Sequence, residues 1–191
     1  MKPFLAALMP LVLMLGSSLA SADDYADTVK TFKNAGESAK FFDTAYGYAV
    51  FPTIGKGGLG VGAARGSGRV YERGKHVGDT TMTQVSVGLQ AGGQAYSQII
   101  FFEDKHAFDE FTSGNFEFGA GVSAVAIRSG VSGSAGTTGS SAGASAGKGD
   151  AGTAGKYYKG MAAFTIAKGG LMYEASLAGQ KYSYEAVASG K

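Results

Sequence analysis

The chain has 191 residues, 45% of them hydrophobic, with 17 Lys and Arg against 15 Asp and Glu and a formal net charge of +2. That length suits one ordinary domain with a core large enough to need no staples. The near-balanced charge gives no global field to draw in nucleic acid. The absence of cysteine excludes disulfides, thiolate metal sites and a lipid-anchored cysteine.

In chain order, Lys2, an apolar run over residues 4–15 and the small-residue stretch Ala20-Ser21-Ala22 form the pattern of a cleaved secretory signal peptide over residues 1–22. The run falls short of the roughly 20 residues that a spanning helix needs. Its removal leaves 16 basic against 15 acidic residues in a domain over 23–191.

Residues 24–36 predict a helix, with Tyr25, Val29 and Phe32 on one face and Gly36 as its stop. A second short helix is expected over 37–46, carrying Phe41, Phe42, Ala45 and Tyr46. From Tyr48 the pattern turns to strands. "YAVFPTI" holds Pro52, the mark of an edge or a strand end. In "LGVGAA", Leu59, Val61 and Ala63 share one face and Gly60, Gly62 and Ala64 the other, a nearly bare face that admits a neighbouring backbone or a ligand closely. "RVYERGKHVG" predicts a hairpin with its turn near Gly74-Lys75.

The next strand puts Val85, Val87, Leu89 and Ala91 on one face and Gln84, Ser86, Gly88 and Gln90 on the other, until Gly92-Gly93 bends it ahead of "AYSQIIFF". Asp104 is placed to cap a helix over about 104–112 with Ala107, Phe108 and Phe111 inward. "NFEFGAGVSAVAI" predicts a strand uniting Phe116, Phe118, Ala120 and Val122. Residues 129–155 are a Gly, Ser, Ala and Thr tract without a large apolar side chain, expected as a low-complexity loop. "YYKGMAAFTIAK", "LMYEASLA" and "KYSYEAV" predict strands, with Gly169-Gly170 as a hairpin turn. The sum is an α+β domain: two N-terminal helices, a curved, barrel-like antiparallel sheet, and one further helix.

Sites of chemistry fail on detail. The glycine run offers Gly60-x-Gly62 but Arg65 where a dinucleotide fingerprint wants its third glycine, and no helix start follows. Gly55-Lys56 and Gly147-Lys148 lack the spacing and the Ser/Thr of a phosphate-binding loop. Two G-x-S-x-G matches, at Ser141 and Ser145, sit inside the low-complexity tract, and both histidines, His76 and His106, precede them. Two isolated histidines do not make a metal site. The expectation is no enzyme, no cofactor and no metal.

Four blocks in order resemble the SYLF domain: "AYGYAVFPTIGKGGLGVGAARGSGRVYE", "VSVGLQAGGQAYSQIIFFEDKHAFDEF", "GNFEFGAGVSAVA" and "AFTIAKGGLMYEASLAGQKY", spanning about 28–187. This is a lipid-binding module found also in eukaryotic adaptors of actin patches and endocytic membranes. The resemblance implies a non-enzymatic protein that binds acidic phospholipids. With a signal peptide ahead of the domain, the expected location is the periplasm, peripheral on a membrane, and cytoplasmic actin is not an expected partner. The resemblance nominates Lys56, Arg65, Arg69 and, at the last Lys-Gly turn, Lys168 as head-group contacts. Solvated charges at strand ends would account for the same residues. Homo-oligomerisation stays open. The rival reading is a small outer-membrane β-barrel, which the signal peptide, glycines and alternating aromatics would fit. The charged helical N-terminus and the absence of Trp from any interfacial girdle speak against it.

Overall fold

The computed structural model describes residues 22–120, 122–127, 156–168 and 176–188, and within them only the backbone of 87–91. The expected signal peptide, the tract 129–155 and the Gly169-Gly170 turn therefore lie outside the described residues, apart from Ala22.

Helix α1 spans Ala22–Asn34, with Asp23 and Asp24 in its first turn and Lys33 in its last, each opposite in sign to the partial charge of the helix dipole at its end. Tyr25, Thr28 and Phe32 form its buried face. The second expected helix is two single turns, α2 (Gly36–Ala39) and α3 (Phe41–Thr44), broken at Lys40. Phe41 and Phe42, at the start of α3, both seat on Phe101, with centroids at 5.4 and 4.9 Å. Ser38, fully buried, ties α2 back to α1 by donating to the Phe32 carbonyl at 2.6 Å.

Most of the domain is one long antiparallel hairpin, β1 (Gly47–Glu72) and β2 (Lys75–Phe102). What the sequence suggested as several short strands is one strand paired along its length with β2, and the ladder absorbs register slips between Phe51 and Ile54, Leu59 and Val61, and Val70 and Tyr71. Pro52 falls in the first slip, on a strand with β2 as its one described partner, so its missing N–H leaves no ladder bond unmade. The turn is Arg73-Gly74, one residue earlier than expected, with both φ positive at 48° and 81° as a two-residue hairpin turn requires.

β2 is the spine of the sheet. Its far edge pairs first with β6 (Lys181–Ala186) and later with β5 (Met161–Lys168). β3 (Phe116–Glu117) extends the β6 side and β4 (Val125–Ile127) the β5 side. The β4–β5 pair is parallel, a departure from the all-antiparallel expectation. The strand expected through "NFEFGAGVSAVAI" is split because this segment passes from one half of the sheet to the other. Helix α4, Lys105–Phe111, follows β2, and the Asp104 carboxylate accepts from the Ala107 N–H at 2.9 Å.

The hairpin is folded across its middle, and the sheet curls into a half-barrel. A Cβ on Gly68 would stand 2.5 Å from the Phe51 ring, one on Gly66 2.6 Å from Ile54 Cγ1, and one on Gly58 2.2 Å from the Val61 carbonyl oxygen. The second limb of β1 therefore lies face to face on the first. Its inward positions, Gly62, Ala64, Gly66, Gly68 and Val70, are buried, and the outward ones, 61, 63, 65 and 67, are exposed. Between the limbs lies one core, with Phe51, Ile54, Ile100 and Phe102 facing Ala64, Val70, Met82 and Tyr182, closed by Phe108 and Phe111 of α4. A second core lies on the outer face of the first limb, where α1 to α3 cover Val50, Ile99, Phe101, Phe164 and Ile166. Within the glycine run, Gly58, Gly66 and Gly68 are thus close-packed in the sheet, while Gly55 and Gly60 face open space.

Candidate functional site

The four nominated cations sit on β1 and β5 near the fold in the hairpin. Lys56 is half-buried on the inward side of the first limb, opposite Gln94 in the ladder. Lys168 ends β5, opposite Ala95, which on its other side pairs with Gly55. Its ammonium reaches across β2 and donates to Thr53 Oγ1 at 2.9 Å. The two Lys-Gly segments are thus one strand apart, with β2 between them. Arg65 lies past the corner on the exposed face of the second limb, in a row with Thr83 and Lys181. Lys181 in turn pairs with Glu117 at 3.5 Å.

Arg69 stands apart from these three. Its guanidinium lies 4.3 Å from the Tyr25 ring centroid and 3.9 Å from Asp79, which also meets His76 Nε2 at 3.0 Å. It joins α1 to the second limb by stacking, a contact that a planar guanidinium makes and an ammonium makes less well.

The apolar residues at the corner are the feature that sequence reasoning missed. Leu59, Val61 and Val85 are 84%, 59% and 72% exposed. The alternation of Val61 with Gly62, and of Gln84 with Val85, was legible, but which face would be left uncovered was not. The structure turns the bare side of β1 and the Gln84 side of β2 inward. Gln84 is buried and donates to the Ala178 carbonyl at 2.8 Å, while Val85 faces out. The glycine pattern was the available signal, because a bare face on a curled strand is the one that can turn inward.

The polar groups inside the half-barrel are neutral. Gln98 Nε2 donates to Gln180 Oε1 at 3.1 Å and to the Tyr182 hydroxyl at 2.8 Å, and Gln180 Nε2 donates to the Tyr96 hydroxyl at 3.3 Å. Burial pushes the phenols of Tyr96 and Tyr182 up, away from neutral pH. A cleft lined by Phe118, Val122, Met161, Ala163 and Leu177 has Lys156 and Tyr158 as its ionisable members. Among the described residues no group of three or more His, Asp or Glu stands together as metal ligands, and no helix is long and apolar enough to cross a membrane. What the surface offers chemically is fixed positive charge beside exposed aliphatic side chains.

Comparison with known proteins bears on the same regions. Residues 83–188 match the family Ysc84, described as "Las17-binding protein actin regulator". The chain is also 35% identical over 163 residues to beta cell expansion factor A of Aeromonas veronii, an alignment covering 82% of this chain and 53% of that protein. The chain thus spans about half the length of this curated relative. The family match takes in most of β2 and continues through β6, and the similarity to the relative covers four-fifths of the chain; on both grounds the chain belongs to the Ysc84/SYLF family.

Proposed function

We propose that this protein is a non-enzymatic lipid-binding protein of the periplasm, acting peripherally at an anionic membrane surface. The observation that carries the reading is the placement of Lys56, Arg65 and Lys168 around one corner of the sheet, on residues that no acidic side chain engages in the described contacts. Each such cation near an anionic leaflet contributes about 1 kcal/mol. Three give a weak, salt-sensitive attachment suited to reversible binding.

The distribution of polarity supports a peripheral protein over a membrane-spanning barrel. A spanning barrel turns an apolar band outward. Here the interior is packed with Phe, Ile and Met. The outer face of one limb is covered by helices, and that of the other carries Ser67, Thr81, Asp79, Ser183 and Glu185. The actin-regulating role in the family description belongs to a cytoplasmic setting, which the export signal expected at residues 1–22 does not provide.

The test is co-sedimentation of the mature domain with anionic and with neutral vesicles at two salt concentrations. Wild type should pellet with anionic vesicles and be released by salt. Lys56→Gln, Arg65→Gln and Lys168→Gln combined should abolish pelleting without loss of folding, since none of the three is fully buried and such charges contribute little to stability. Unchanged binding by the folded triple variant would remove these residues from the site and move attention to Lys30, Lys33 and Lys40. Absence of wild-type binding to every vesicle would end the lipid reading.

A further inference from the structure

Building on the lipid reading above, we infer that the corner of the β1–β2 hairpin is the part that enters the bilayer, with Leu59, Val61 and Val85 seated among the acyl chains and Arg65 held at the phosphate level. Three observations carry this. First, three of the five large hydrophobics that are exposed among the described residues, Leu59, Val61 and Val85, gather at this one bend. Val85 stands directly opposite Ala63 in the ladder, two residues along from Val61 on the same face, so Val61, Ala63 and Val85 form a continuous aliphatic patch. Leu59 follows across the register slip.

Second, that face changes character within one strand. The rows farther from the corner are polar: Arg65 with Thr83 and Lys181, then Ser67 with Thr81 and Ser183. Water is the surrounding of those rows, and the sequence there is written for water. The corner rows are not.

Third, charge selects the occupant. Around the corner the hairpin residues 53–67 and 80–96 carry Lys56 and Arg65 and no Asp or Glu, Arg69 farther along being taken up by Tyr25 and Asp79. Lys168 adds a third cation alongside Thr53. A second copy docking corner to corner would bring like charges together, whereas an anionic bilayer meets both the cations and the aliphatic side chains.

The chain contains no tryptophan, so L59W places a lone indole at the corner. On vesicles of anionic lipid its emission should shift to the blue and be quenched by lipids brominated along the acyl chain, with neither effect in solution. Leu59→Ser, Val61→Ser and Val85→Ser together should keep the fold, because all three side chains are exposed, and should lower vesicle affinity about tenfold or more while leaving a salt-sensitive remainder. Three outcomes would overturn the inference. If wild type pellets with anionic vesicles but the indole of L59W stays water-exposed and unquenched, binding is by head-group contact alone and the lipid reading stands without insertion. If the indole shifts with rising protein concentration and no vesicles, a second copy covers the corner. If wild type binds no vesicle, insertion and the lipid reading fall together.

Discussion

Gly68→Ala is the sharpest test of the folded-over hairpin, because one methyl group probes the contact between the two limbs. In the strand the new Cβ would lie 2.5 Å from Cδ1 and Cε1 of Phe51 and 2.9 Å from the Val50 carbonyl oxygen. Carbon atoms rest at about 3.5–4.0 Å, so one limb must retreat by about 1 Å. Neither neighbour can yield freely. Phe51 is fully buried with its ring 5.7 Å from that of Tyr182, and Val50 is held opposite Ile99 in the β1–β2 ladder. Forcing a methyl into such a site costs about 1–3 kcal/mol. For a domain of this size each kcal/mol moves the midpoint by about 2–4 °C, which predicts a fall of about 2–12 °C.

The assay is thermal unfolding followed by circular dichroism, with Gly55→Ala as the control. Gly55 has nothing within 4 Å of its Cβ position and no positive φ, so that change should be neutral or stabilise by about 0.4–1 kcal/mol through the unfolded chain. Trimming Phe51 to Leu should partly rescue Gly68→Ala, giving a coupling of about 0.5–3 kcal/mol between the two sites. An unchanged midpoint for Gly68→Ala, or strict additivity with Phe51→Leu, would refute the face-to-face packing of the limbs.

Gly60 behaves differently from its neighbours: its φ is +75° and nothing lies near its Cβ position, so Gly60→Ala should cost about 1–2 kcal/mol through backbone strain and should not be rescued by trimming any side chain. The buried tyrosines predict an alkaline limit. Burial raises the Tyr48 phenol to about 12 and that of Tyr96 further, against about 10 in the unfolded chain, and pushes the fully buried Tyr182 phenol up in the same direction. The fold thus favours the neutral phenols. Their contribution is complete below pH about 10 and is lost as pH rises through the folded values at and above about 12. Phenolate absorbance from these residues should therefore appear together with loss of the circular dichroism signal, and a smooth titration of all ten tyrosines near their ordinary value with the fold intact would contradict their burial. Exported protein should have a mass beginning at Asp23, and a mass retaining residues 1–22 would sink the periplasmic assignment.

The helices at 22–34 and 105–111 and the β6 segment were legible because each carries its own local signal: a 3.6-residue apolar stripe, an Asp cap or alternation. The length of β1 was not, since Pro52 and the glycines are strand breakers locally. It is the continuous ladder to β2, a long-range pairing, that overrides them. The parallel β4–β5 pair was hidden for the same reason, because it depends on a chain crossing between limbs. Among the candidate residues, charge type and position along the chain were readable. That Arg69 would be taken up by Tyr25 and Asp79, while Arg65 would not, depends on where α1 docks.

The exposure of the aliphatic corner follows from the same packing that hides the glycines. At Gly58 a side chain would meet the Val61 carbonyl oxygen at 2.2 Å and Gly62 Cα at 2.5 Å, so the inside of the bend has no room for one. Strand alternation then sends the neighbouring positions outward. Geometry thus dictates that residues 59, 61 and 63 face away from the core, but it does not dictate that they be Leu, Val and Ala. Two residues further along the same face the chain uses Arg65 and Ser67, which keep a strand extended without exposing apolar surface. A corner selected for water alone could have carried the same Ser, Thr or Arg. Aliphatic residues placed where only an outside partner can cover them, beside Lys56 and Arg65, are what the proposed seating of this bend in a bilayer would use.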